Sequence, residues 1–345
     1  MTSASTTARR LHVVTTFDDA AWDALVARAE GGTFCHLSGW RNVIARAMRQ
    51  TPCYLAAVDG DGAMHGVLPL VRLRSAVFGT RYVSMPYLND GGALGSAEAI
   101  ASLEREAQRI SGGRLLELRI RGTPTDTDGD RRCEKVTVLL DLPSDEDALW
   151  KAFPAKLRSQ IRRPQKAGLT MRFGPDQLDA FYRVWSENMR DLGTPALPHA
   201  FFRSIAEQFP EQLIVGCVYR DATPVAAGAG FLYRGEFEIT WASSLRAWNR
   251  EAPNMLLYWE LMRHAIERGA HTFNFGRTTP GSGTHRFKLQ WGGRTVPLAW
   301  RRLPVRAVNG SPGRAAELVS AGWQRLPLSV SRVLGPPVAR LLPWW

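Results

Sequence analysis

Residues 253–293 read PNMLLYWELMRHAIERGAHTFNFGRTTPGSGTHRFKLQWGG, and the fold is decided there. Met255, Tyr258, Trp259, Met262 and Ile266 recur at offsets 0, 3, 4, 7 and 11, one apolar face of a helix. Pro253 stands where a helix begins and Gly269 where one ends. Residues 271–275 alternate polar and apolar, which predicts a short buried strand. The run Gly276-Arg277-Thr278-Thr279-Pro280-Gly281-Ser282-Gly283 is turn chemistry, not regular structure. It brings a guanidinium, three hydroxyls and flexible backbone to the end of a strand. Lys288 and Trp291 follow within about two helical turns. The stretch is therefore a packed helix–strand unit with an anion-binding corner.

Upstream, residues 144–153 and 155–168 read as helices, 169–173 as a strand, and 177–192 and 198–209 as helices. A hairpin over 211–219 and 224–233 and a third antiparallel strand over 236–243 lead into the opening stretch. Residues 294–302 close the sheet. The first part of the chain follows the same plan. A strand over 11–16 precedes a helix over 18–30, capped by Asp18 or Asp19, and a helix over 39–48, capped by Ser38. Strands over 52–58 and 63–74 flank the turn Asp59-Gly60-Asp61-Gly62. A strand over 81–85, the loop Pro86-Tyr87-Leu88-Asn89-Asp90-Gly91-Gly92, a helix over 98–110 and strands over 115–121 and 135–141 complete it. A polar loop, 122–132, splits the last two. The halves share a plan without a residue-level repeat, which predicts an α/β fold of the α+β type with domains at 10–150 and 151–305.

A chain of 345 residues suits two domains, and 45% hydrophobic with 22% charged residues is a globular composition. The formal net charge of +12 favours an anionic partner but does not choose among nucleic acid, nucleotide, lipid and glycan. Cys35, Cys53, Cys133 and Cys217 are far apart and form no CxxC pair, so neither a zinc module nor a disulfide scaffold is expected. No HExxH motif or acidic metal loop occurs, and no metal is expected. Without an apolar signal core or a run of about 20 apolar residues, the expected location is the cytoplasm. Residues 306–345 differ: they are proline-rich and basic, with Ala315, Leu318, Val319, Gly322, Trp323 and Leu326 on one helical face and Trp344-Trp345 at the end. Such a tail either packs across the two domains or lies peripherally on the inner membrane.

Pro253-Asn254-Met255-Leu256-Leu257-Tyr258-Trp259, Phe273-Asn274-Phe275-Gly276-Arg277 and Phe287-Lys288-Leu289-Gln290-Trp291-Gly292 together resemble the FemAB-like acyltransferases. More narrowly, they resemble the FemAB-related proteins associated with exosortase/PEP-CTERM and exopolysaccharide gene clusters. Arg158-Ser159-Gln160-Ile161-Arg162-Arg163-Pro164-Gln165-Lys166-Ala167-Gly168 and Met85-Pro86-Tyr87-Leu88-Asn89-Asp90-Gly91-Gly92 fit the same pattern. The resemblance spans about residues 12–303 and excludes the tail. It implies two tandem GNAT-like domains, each a mixed, mostly antiparallel sheet flanked by helices. It also implies transfer of an acyl or aminoacyl group to an amine or hydroxyl of a cell-envelope or exopolysaccharide precursor. The donor would be aminoacyl-tRNA, an acyl carrier protein or acyl-CoA, as co-substrate and not as a tightly bound cofactor. Relatives often carry Asp where this chain has Asn274, and an amide cannot act as a general base.

In that frame the helix starting near Asn254 meets the carrier phosphates, and the turn delivers Arg277 and Lys288 to the cleft to hold a phosphate or an oxyanion. The loop 245–253 lacks the glycine pattern of acetyl-CoA enzymes, which ranks acetyl-CoA below other carriers. Asp90 orients or deprotonates an acceptor amine beside Asn89. Arg158 and Arg162, one turn apart on a basic helix, grip a phosphate, and Trp241 and Trp291 line the pocket. The plainer readings are solvated charges at Arg277, Lys288, Arg158 and Arg162, an Asx turn at Asp90, and core packing at Trp291. Two rival functions stay open: a non-catalytic, degenerate GNAT-pair scaffold of a polysaccharide or sorting system, and an RNA-binding module.

Overall fold

The computed structural model describes residues 10–122, 131–304 and 314–342, with residues 131–134 and 314–316 described in backbone only. Most of the polar loop expected at 122–132 and the terminal tryptophans lie outside these residues. Eleven strands form one sheet. Across it run Leu169–Phe173, Leu213–Arg220, Thr223–Tyr233, Glu236–Ser244, Thr272–Asn274, Arg131–Asp141, Arg294–Leu303, Leu116–Arg121, Gly79–Ser84, Leu70–Ser75 and Thr51–Pro52. Two neighbouring pairs are parallel, Glu236–Ser244 with Thr272–Asn274 and Gly79–Ser84 with Leu116–Arg121. Parallel neighbours need a crossover, and each pair is joined through a helix of 15 residues, Pro253–Glu267 and Ala97–Ser111. The shared plan read in the sequence is thus present as two strand–helix–strand crossovers.

The halves are interlocked. Arg131–Asp141 pairs with Thr272–Asn274, and Arg294–Leu303 pairs with Leu116–Arg121, so each closing strand sits beside the other half's crossover strand. The two closing strands also pair with each other. A four-stranded sheet of His12–Val14, Leu55–Val58, Met64–Leu68 and Leu94–Gly95 covers one end. The hairpin expected over 52–74 is therefore divided: Met64–Leu68 belongs to the small sheet and Leu70–Ser75 to the large one, with Pro69 between. Proline donates no ladder hydrogen bond and favours such a break.

Three clusters make the core. One is shared by both halves and holds Trp22, Phe34 and Trp40 with Phe181, Phe202, Phe231 and Trp241. A second packs Pro253–Glu267 and Ala155–Lys166 on the second half's strands. A third packs Ala97–Ser111 on the first half's strands. Ser38 does not cap a helix; its backbone N–H and hydroxyl both donate to Asp23, at 2.8 and 2.9 Å, and the helix starts uncapped at Trp40. It turns π-helical over Ile44–Met48. The tail forms helices Arg314–Gln324 and Leu328–Leu341, which lie on Leu178–Asp191. Arg340 reaches Ala47 O in the first half and Arg332 reaches Ser186 Oγ in the second, so the tail packs across both. No helix of the described residues is long and apolar enough to cross a membrane.

Candidate functional site

The parallel pair Glu236–Ser244 and Thr272–Asn274 lasts for three residue positions and ends at Glu238 opposite Asn274. Beyond it, Phe275 N and Thr278 N donate to Val138 O and Val136 O at 2.9 and 2.7 Å, which draws the chain towards Arg131–Asp141. From Ile239 onward, Glu236–Ser244 has lost its neighbour on that side, and the two strands part into a notch. Gly276 closes over the gap, because a Cβ there would lie 2.6 Å from Ile239 O. The other ladder of Glu236–Ser244 shifts where Gly230 faces Ile239 and Ala229 faces Trp241, leaving Thr240 as the bulged residue. Thr240 Oγ1 is buried without a hydrogen-bond partner.

A polar cluster fills the base of the notch. Asn274 Nδ2 donates to Glu236 Oε1 at 2.9 Å and to Glu238 Oε2 at 3.0 Å. Its Oδ1 accepts from Thr137 Oγ1 and from Gly276 N. Every hydrogen-bonding position of this amide is filled, and only an amide can donate towards two carboxyl groups while accepting from the turn. Asn89 comes from the first half and donates to Glu238 Oε1 at 2.6 Å. It is held by a contorted loop: Met85 and Tyr87 have φ of 49° and 74°, and a Cβ on Gly91 would meet Met85 Cβ at 2.4 Å. Lys288 is 3% exposed on helix Gly283–Leu289, which Ser282 caps; its Nζ donates to Gly276 O and Arg277 O at 2.7 and 3.0 Å.

Burial pushes Glu238 up to about 8, with Asp90 and Glu236 nearby adding to the effect. Burial lowers Lys288 to about 7, against the pull of Glu238. Both groups are thereby poised to exchange protons near neutral pH.

Asp90 stands on the solvent side of this cluster, in a cleft of about 490 Å³ lined from both halves by Thr33, His36, Asp90, Arg121, Arg234 and Glu236. Burial would raise the Asp90 carboxyl, but Arg121 and the Thr33 hydroxyl hold it below its ordinary value. Thr33 Oγ1 donates to Asp90 Oδ1 at 2.8 Å, Arg121 Nε donates to Oδ2 at 3.0 Å, and Arg121 Nη1 reaches Glu236 Oε2 at 2.7 Å. Burial lowers His36, whose Nε2 donates to Gly92 O at 3.1 Å while Nδ1 accepts from Thr33 N. A neutral imidazole with its proton on Nε2 is therefore built into the wall.

Arg277 stacks on the Trp300 ring at 5.1 Å, beside Arg119 at 4.1 Å. Burial, with Arg119 close by, brings Arg277 down to about 10. Its guanidinium has no hydrogen-bond or ion-pair partner among the described residues, which leaves a cation free for an anionic group. Trp300 Nε1 donates to Asn89 O at 3.2 Å and so joins this cation to the Asn89 loop.

The structure thus gathers Lys288, Arg277, Asn89 and Asp90 around one notch and cleft. Four of the other sequence candidates, Trp241, Trp291, Arg158 and Arg162, lie elsewhere. Trp241 is buried against Phe202 and Phe201, because the bulge at Thr240 turns it to the shared core. Trp291 is buried edge-on to Phe153. Arg158 donates to Phe153 O, and Arg162 stacks on Trp150 at 5.0 Å, both on the helix that packs against Pro253–Glu267. Asn254 is half-buried in the first turn of Pro253–Glu267, whose N-terminus no side chain caps.

Sequence reasoning missed Glu236, Glu238, Arg121, Thr33, His36 and Thr240. The pattern Glu236-Phe237-Glu238 in an apolar strand was a usable signal, since it puts two acids on one face of a central strand. Among the described residues no group of three or more His, Cys, Asp or Glu side chains is placed to hold a metal ion.

Residues 151–289 match the family described as Acetyltransferase (GNAT) domain. No curated protein matches the chain in sequence. Among solved structures the chain is similar to FemX, with 14% identity and a TM-score of 0.62 over 84% of this chain and 96% of that one. It is similar to the C-terminal domain of a putative lysylphosphatidylglycerol synthetase from Agrobacterium fabrum, with 14% identity and a TM-score of 0.53 over 88% and 95%. L-PGS from Bacillus licheniformis gives 12% identity and 0.53 over 90% and 98%. At such identities the likeness is one of fold, and the fold is GNAT-like.

Proposed function

We propose that the protein is an acyl- or aminoacyltransferase of the FemAB-like kind, acting on an amine or hydroxyl of a cell-envelope or exopolysaccharide precursor. The observation that carries this reading is the notch where Glu236–Ser244 parts from Thr272–Asn274, with the Glu238–Asn274–Asn89 cluster at its base. A donor carbonyl laid in the notch meets the bulged Thr240, whose hydroxyl lacks a partner. The uncapped N-terminus of Pro253–Glu267 suits the carrier phosphates. The acceptor enters from the cleft that Asp90 and Glu236 line.

The acceptor nitrogen or oxygen attacks the carbonyl carbon and a tetrahedral oxyanion forms. Lys288 and Arg277 are the cations within the cluster that can stabilise it. The acceptor's proton passes to Asp90 or, through the cluster, to Glu238, whose raised pKa makes it the stronger base. Collapse expels the carrier as a thiolate, or as a ribose hydroxyl when the carboxyl that took the acceptor's proton returns it to the leaving oxygen. The FemX and lysylphosphatidylglycerol synthetase likenesses favour an aminoacyl donor, while the acetyltransferase match over residues 151–289 favours an acyl thioester. The resemblance to exopolysaccharide-associated proteins favours a glycan acceptor.

The test is mass spectrometry of candidate precursors incubated with the protein and a mixture of aminoacyl-tRNA, acyl carrier protein and acyl-CoA donors. A mass increase matching one donor group is expected, and its absence from every pairing counts against the reading. Thr240→Val keeps the side-chain shape and removes the orphan hydroxyl. The fold should be as stable or slightly more so, while the donor KM rises about two- to tenfold, the worth of one hydrogen bond. An unchanged KM places the donor carbonyl elsewhere. A scaffold without catalysis is the second reading, favoured by the engagement of Lys288 Nζ with two backbone carbonyls; donor binding without any product would support it.

A further inference from the structure

The tail helices present an apolar face to solvent. In Leu328–Leu341, Ser331, Gly335 and Ala339 recur at every fourth position and are buried against the protein. Gly335 is pressed so close to Ala196 that a Cβ would lie 3.0 Å from its backbone N. The opposite face of the same helix carries Val330, Val333, Leu334 and Leu341, all exposed, with Val333 at 72%. Helix Arg314–Gln324 adds Leu318 and Val319, 69% and 70% exposed. An ordinary surface helix would put charges at such positions.

The apolar face continues onto neighbouring elements. Gly193 abuts Ser320, and exposed Leu192 stands next to it in the chain. Gln50 Nε2 donates to both Arg74 O and Arg340 O, which ties the end of Leu328–Leu341 to the strand leading to exposed Val77.

The charge around this face is mainly positive; the acids near it are exposed Glu317 and, on Leu178–Asp191 beneath both tail helices, Asp179, Glu187 and Asp191. Arg46, Arg49, Arg74 and Arg325 are exposed, and Arg332 and Arg340 are half-buried. Residues 40–58 and 68–89 contain no acidic residue, and residues 314–342 contain Glu317 alone. A second copy of the chain docked face to face by a twofold axis would bring two mainly basic rims together. An anionic bilayer surface meets both features, since its headgroups pair with guanidinium groups while shallow aliphatic side chains enter the acyl boundary.

We infer that the outer face of Leu328–Leu341 and Arg314–Gln324, with its arginine rim, is a docking surface for an anionic phospholipid membrane. This inference stands apart from the proposed reaction, because it rests on a surface and not on the notch.

The experiment is flotation of the full-length protein with vesicles of phosphatidylcholine alone or mixed with phosphatidylglycerol, at low and high salt. Binding to the anionic vesicles, weakened at least tenfold by omitting phosphatidylglycerol and reduced by salt, is the expected result. Leu318→Glu combined with Val333→Glu should lower binding at least tenfold and leave the melting temperature unchanged, because both side chains are solvent-exposed. No flotation with anionic vesicles, or equal flotation by the double variant, overturns the inference. Sedimentation velocity covers the remaining occupant: a dimer that the double variant dissolves would show that this face belongs to a second copy.

Discussion

Lys288→Met is expected to lower kcat by about two to three orders of magnitude, the usual effect of removing one oxyanion-stabilising donor. Met keeps the apolar stem and removes the ammonium. The loss leaves Gly276 O and Arg277 O without their partner, a cost of about 1–3 kcal/mol. Relief from burying a charge offsets part of it, so the melting temperature should fall only modestly. Activity and stability are therefore expected to separate. Proportional losses would make Lys288 a tether of the turn and nothing more. A pH series adds an independent check. The folded value of about 7 lies below the ordinary 10.5, so the folded state binds fewer protons than the unfolded state between them. The Lys288 contribution to stability therefore rises with pH across that window, and Met should flatten that rise. If the ammonium form assists the reaction, wild-type kcat falls as pH climbs through about 7, and the variant lacks that limb.

Asn274→Asp is expected to destabilise this chain by about 3–5 kcal/mol at pH 8. Asn274 donates to Glu236 and Glu238 at 2.9 and 3.0 Å, and an ionised Asp can donate to neither. Hydrogen bonds to charged groups are worth about 1.5–3 kcal/mol each, and a third carboxylate adds repulsion. The new carboxyl would have a folded pKa raised above its unfolded value. Its penalty is then absent at low pH and grows as pH rises from the unfolded value through the folded one. Denaturant titrations at pH 5 and pH 8 measure this, with the gap from wild type expected to widen at pH 8. A gap independent of pH would mean that the carboxylate environment of Asn274 is not what makes the amide necessary. Activity in this variant should not exceed wild type.

Much of the architecture was legible because its signals are local. Apolar spacing placed Pro253–Glu267, alternation placed Thr272–Asn274, and the loop Pro86 to Gly92 announced a close backbone approach that Gly91 and Met85 realise. The division of the hairpin at Pro69 and the exchange of closing strands were not legible, since both depend on which edge a strand finds across the fold. The site divides the same way. Lys288, Arg277, Asn89 and Asp90 were visible as polar residues in turn-rich or aromatic settings. Glu238 was hidden because a glutamate in a strand looks solvated until the neighbouring strand and the Asn89 loop cover it. Trp241 looked available until the bulge at Thr240 turned it inward.

By itself the sequence determined most of the helices and strands, the plan the halves share, the basic charge and the turn that carries Arg277 towards Lys288. These follow from side-chain periodicity and turn chemistry, which act over a few residues. Only the tertiary structure decided that Asn274 is an amide because two carboxyl groups face it. It alone placed Asn89 beside Glu238 across 149 residues of chain. It alone made Lys288 and Glu238 titrate near neutrality, because a pKa is set by burial and by neighbours that the chain brings together from both halves.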